Sequence, residues 1–117
     1  MEKQALLVTN QLLDKLDEID EIYQKTRETG EQYDFYVHIE PFANDVQQLA
    51  LHWQEAIQKV IDLRRTYFVG EKQVDTVVDN VCKLSVQAFQ ANASFQRFKN
   101  YVQSTKFILK SIKRQLL

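Results

Sequence analysis

The stretch "YDFYVHIEPFANDVQQLALHWQEAIQKV", residues 33–60, holds the only proline of the chain, both histidines and the only tryptophan. Its reading decides the fold. Phe35, Ile39, Phe42, Val46, Leu49, Trp53, Ile57 and Val60 follow one another at steps of 4, 3, 4, 3, 4, 4 and 3. That is the stripe of one helical face, and its phase runs through Pro41 without a slip. A helix interrupted at the proline would be free to restart in any register. The spacing predicts one helix from about Asp34 to Thr66, N-capped by Asp34, with a kink or local distortion at Pro41. The alternative is a short helix up to Glu40 and a second one with Pro41 in its first turn.

The flanking segments repeat the pattern. Ala5, Leu12, Leu16, Ile19, Tyr23 and Thr26 predict a first helix from about Lys3 to Glu28, with Gly30 suited to the left-handed position past its end. After a connection around Gly70, Val74, Val77, Val81, Leu84 and Ala88 mark a third helix, about Gln73 to Gln90. "ANAS" offers Asn92 and Ser94 as caps. Phe95, Phe98, Val102, Thr105, Leu109, Ile112 and Leu116 alternate steps of 3 and 4 and predict a fourth helix, about Phe95 to Gln115. The expectation is an all-α, antiparallel up-down-up-down four-helix bundle whose second helix is long and kinked at Pro41, with residues 1–117 forming one domain.

Bulk properties agree. With 117 residues, the chain should bury roughly two-thirds of its unfolded surface. Two glycines and one proline leave little turn chemistry for many short strands. Cys82 is the only cysteine and has no internal partner, which fits a reducing, cytoplasmic setting. No apolar run has the length of a signal sequence or a membrane span. A net charge of −1 argues against nucleic acid and against a membrane surface. Charge is nonetheless polarised. Residues 1–34 carry nine acids and four bases, whereas residues 94–117 carry six bases and no acid. First and last helices of such a bundle are neighbours, so their fields are complementary.

Candidate chemistry is thin. His38 and His52 are about 21 Å apart along a helix at 1.5 Å per residue, too far to share a metal. "HWQE" reverses the Glu-x-x-His order of dimetal bundles and occurs once. Asp17, Glu18 and Glu21 could imitate half of a magnesium-binding carboxylate set, but the second helix offers no inward pair to complete it. Asp20 lies near the apolar stripe and reads as a partly buried acid paired with a base or hydroxyl. Cys82 sits at the edge of a stripe, with no catalytic signature around it. No catalytic, metal or cofactor residue is therefore assigned. Lys99, Lys106 and Lys113 fall seven apart on one stripe, interleaved with Tyr101 and Phe107. Leu51 and Phe107 point nearly away from the core, and Leu7 and Val86 lie well off it. These residues make Leu51, Phe107, Lys99, Lys106 and Lys113 the candidate interaction surface.

The motifs "DFYVHIEPFANDV", "RRTYFVGEKQVDTVVDN", "SVQAF" and "RFKNYVQSTKFILKSI", in that order, resemble the YppE-like family of small bacterial proteins of unknown function. The resemblance spans about residues 10 to 115 and implies the same four-helix bundle; it supplies no catalytic or ligand residue. The leading expectation is a non-enzymatic helical bundle that meets an unknown protein partner as a monomer or homodimer. One alternative is a metal- or nucleotide-dependent enzyme using carboxylates near Asp20. Another is an adaptor for an acidic partner or nucleic acid through the basic fourth helix.

Overall fold

In the computed structural model of the protein, which describes residues 2–64, 68 and 70–117, four helices enclose one apolar core. They are α1 (Glu2–Thr29), α2 (Glu40–Arg64), α3 (Val74–Gln87) and α4 (Phe95–Leu116). A π-helical turn, Phe35–Ile39, leads directly into α2, and a 3₁₀ turn, Glu71–Gln73, leads into α3. The expected end of the second helix at Thr66 lies outside the described residues. The third helix is shorter than its apolar pattern suggests, stopping at Gln87 where turns carry the chain to Ser94.

Local chemistry sets these boundaries. Gly30 adopts φ +65° and donates its N–H to the Thr26 carbonyl at 2.8 Å, closing α1. Asp34 is the N-cap before the π turn and its carboxylate accepts from the Val37 N–H at 2.9 Å. Ser94 caps α4 by accepting from the Arg97 N–H; Asn92, the other candidate, is an exposed turn residue. Gly70 has φ +91°, and a Cβ there would stand 2.9 Å from Ile112 Cγ1, so both backbone and space require glycine.

Helical structure runs on through Pro41, and the distortion falls just ahead of it. The N–H groups of Ile39 and Glu40 reach back five residues, to the carbonyls of Asp34 and Phe35. In ordinary α geometry the proline ring clashes with the carbonyl four residues earlier; the wider π turn makes room for it. The extra residue also changes the phase. At about 100° per residue, everything before the turn is rotated off the stripe by roughly that angle. Phe35, expected in the core, is accordingly 50% exposed, whereas Val46, Trp53, Ile57 and Val60 are buried.

Helices α1 and α3 each pack on both α2 and α4, which lie across the diagonal from one another. Contacts join the early part of one helix to the late part of its neighbour. Glu2 meets Arg64, Asp20 meets Lys99, Tyr23 meets Ala93, and the Phe42 ring meets Phe89 at 5.7 Å. The stripes of α1, α3 and α4 are buried as their spacing predicts, apart from Phe95, which starts α4 beneath the Arg27 guanidinium at 4.8 Å.

Among the described residues every buried polar side chain has a partner. Trp53 is fully buried and donates its indole N–H to Thr9 Oγ1 at 3.0 Å; that hydroxyl donates to the Ala5 carbonyl at 2.7 Å. Thr9→Val would keep the shape and strand the indole N–H in the core. The expected cost is about 1–3 kcal/mol, read as a lower urea midpoint at unchanged slope.

Candidate interaction surfaces

Two acids of α1, Asp17 and Asp20, meet bases of α4. Lys99 Nζ donates to Asp20 Oδ1 at 2.6 Å, and Lys106 Nζ donates to Asp17 Oδ1. Asp20 is therefore the partly buried, paired acid its position suggests, with about a quarter of its side chain exposed. Glu18 pairs with Lys15 at 2.9 Å and Glu21 is exposed. His38 and His52 are both exposed, and among the described residues no three His, Cys, Asp or Glu side chains converge as a metal set. Among the described residues the buried polar side chains are hydroxyls and the Trp53 indole, whose hydrogen bonds stay within the protein.

Of the predicted surface residues, Lys99 and Lys106 already hold α1 carboxylates, while Lys113 has no ion pair among the described residues. Leu51 is 47% and Phe107 69% exposed. They occupy α2 and α4, on diagonal helices, and the structure does not merge them into one patch. Leu7 is exposed on α1 and Val86 half-buried on α3.

A different surface brings apolar side chains together. Phe35, Tyr36 and Val37 are consecutive and all exposed, Tyr36 at 77%, with the Phe35 and Tyr36 rings edge-to-face at 5.3 Å. Tyr33 braces the base of this turn, edge-on to His38 at 5.7 Å and to Phe89 at 5.0 Å. Between residues 28 and 40 the chain has four carboxylates, Glu28, Glu31, Asp34 and Glu40, and no lysine or arginine. None of the four forms an ion pair among the described residues. The apolar phase hid this site by assigning Phe35 to the core. The signal for it was the run "YDFYV" beside Pro41, more aromatic than one stripe can bury.

Residues 9–116 match the family model of a bacterial domain of unknown function, DUF1798. The chain belongs to that family. It is 28% identical over 117 residues to the uncharacterized protein YppE of Bacillus subtilis strain 168, with 99% of this chain and 95% of the relative covered. A crystal structure of a protein of unknown function from Listeria innocua is similar with a TM-score of 0.91 and 29% identity, over 98% of this chain and 92% of the other. The crystal structure of YppE gives a TM-score of 0.83 at 26% identity, over 94% and 92% of the two chains. The YppE-like resemblance read from the motifs and the all-α bundle are thus both supported across the family's length. Among the described residues no helix is long and apolar enough to cross a membrane.

Two outcomes test the electrostatics. A double-mutant cycle on Asp20→Asn and Lys99→Gln should give a coupling of about 0.5–1 kcal/mol, the scale of a partly exposed pair. Additive effects in chemical denaturation would show that the pair contributes nothing. At Cys82, burial first and the nearby Asp79 carboxylate second raise the thiol pKa above its ordinary value. Less thiolate is then present at neutral pH. Alkylation should be slower than for a free thiol, accelerate as pH rises, and speed up only partly in Asp79→Asn, because burial remains.

Proposed function

We propose that the chain is a cytoplasmic, non-enzymatic contact module that binds another protein through the aromatic turn Phe35–Tyr36–Val37. One observation carries the reading: three consecutive large apolar side chains stand in solvent on a turn held by the Asp34 cap and braced by the Tyr33 ring. Exposed aromatics ringed by polar groups are the usual anchors of protein interfaces. The single cysteine, without a disulfide partner, suits a reducing compartment. The unpaired carboxylates around the turn favour a partner with a basic rim. A homodimer through this turn would bring four carboxylates of each copy together, which disfavours self-association there.

A second reading uses Leu51 and Phe107 with Lys99, Lys106 and Lys113 to meet an acidic partner. It requires the partner to replace Asp20 and Asp17 as acceptors for two of the lysines, so it ranks below the first. Affinity purification from the native cell, with quantitative comparison of variants, separates the two. Tyr36→Ser with Val37→Ser should weaken capture of a specific partner at least about tenfold, equivalent to roughly 1.4 kcal/mol, at unchanged far-UV circular dichroism. Leu51→Asp with Phe107→Asp should leave that partner bound. The reverse result would move the interface to the second surface, and capture insensitive to both pairs would remove both.

A further inference from the structure

A second feature lies on the opposite seam of the bundle, between α3 and α4. Asn80, Lys83 and Gln87 on α3 face Arg97 and Tyr101 on α4 across a cleft of about 200 Å³, floored by the buried Leu84. Among the described residues no carboxylate lines it. A shallow, open surface continues along α4 past Arg97 and Tyr101, formed by Ser94, Gln96, Asn100 and Ser104, again without an acid among the described residues. The cations here differ from those on the α1 side. Lys99 and Lys106 are neutralised by Asp20 and Asp17, and Arg64 by Glu2. Lys83 and Arg97 have no ion pair among the described residues, although they share one cleft from two helices.

We propose that this α3–α4 cleft binds a small organic oxyanion, with Arg97 and Lys83 as its charge partners and Tyr101 as the wall for its organic part. A guanidinium presents a planar fork of N–H donors that matches two oxygens of a carboxylate or phosphate, and an ammonium adds a point charge from the other side. Gln87 supplies an amide donor, and Asn80, held to Thr105 Oγ1 at 3.4 Å, marks the inner edge. The Tyr101 ring, 46% exposed, offers a flat face at the rim. The cleft admits a group of the size of a phosphate or carboxylate and leaves a ring attached to it at the Tyr101 edge. This reading is independent of the aromatic turn, which lies on the Asp34–Pro41 segment.

Phosphate, phenyl phosphate and benzoate, titrated into the isotope-labelled full chain and followed by amide chemical shifts, test the assignment. Saturable shifts confined to residues 80–87 and 94–104 are expected, with phenyl phosphate bound more tightly than phosphate. The stronger of phenyl phosphate and benzoate identifies the oxyanion. Arg97→Gln and Lys83→Gln should each weaken binding about tenfold, while Lys110→Gln, on the exposed basic end of α4, should leave it unchanged. Non-saturating shifts, shifts centred on Lys110 and Lys113, or affinities equal in all three variants would overturn the proposal. Circular dichroism on each variant, with two separate substitutions, prevents a folding defect from being read as lost binding.

Discussion

Trp53 cannot be buried unless its indole N–H finds an acceptor, and much of the bundle's arrangement follows from the one it finds. Trp53 is the largest fully buried side chain of the protein, and its acceptor is a hydroxyl on a different helix, forty-four residues away. That hydroxyl can accept because its own proton is committed to the Ala5 carbonyl. The relay fixes how α1 and α2 slide and rotate relative to each other, since a shift by one residue would leave a donor unpaired in a dry core. Tyr23 acts similarly at the far end. It stacks on Phe98 at 3.8 Å between centroids and donates to the Ala93 carbonyl at 2.6 Å, tying α1 to the turn before α4. Apolar burial supplies the driving force, and these two polar anchors select one register from many that would bury similar area.

Electrostatics reinforces that selection on one side of the bundle. The acidic α1 and basic α4 meet as two lysine–aspartate pairs. Each contributes little alone, yet the reversed or shifted pairing would set like charges opposite one another. The other seam of α4 faces α3, where Lys83 and Arg97 form no ion pair among the described residues. Polarisation along the sequence thus yields one helix whose lysines are ion-paired on the α1 side, while its Arg97 on the α3 side forms no ion pair among the described residues.

Much of this was legible in the sequence. The apolar phases of the first, third and fourth helices and the caps Asp34 and Ser94 follow from local chemistry. Asp20 betrayed its pairing by sitting beside an apolar stripe. Two things were not legible, for definite reasons. Periodicity counts residues, and a π turn inserts one more residue per turn than the count assumes, so Phe35 looked like core and stands in solvent. Helical angle also tells how far Leu51 and Phe107 point from the axis of the bundle, but not that their helices are diagonal. Whether outward residues join into a patch depends on that arrangement. The relay through Thr9 was likewise invisible, because threonine on an apolar stripe reads the same whether or not a donor across the interface requires it.

The π turn has a consequence for chain length. Ahead of Pro41, the rotational setting of Phe35, Tyr36 and Val37 depends on how many residues lie between the cap and the proline. Removing one would let an ordinary turn close there, swinging the aromatic side chains toward the stripe and withdrawing them from solvent. Substitutions can change what this turn displays, whereas a single-residue deletion would change which way it displays it. Among related sequences, an indel between Asp34 and Pro41 would therefore act as a rotary switch on the surface while leaving the core composition almost untouched.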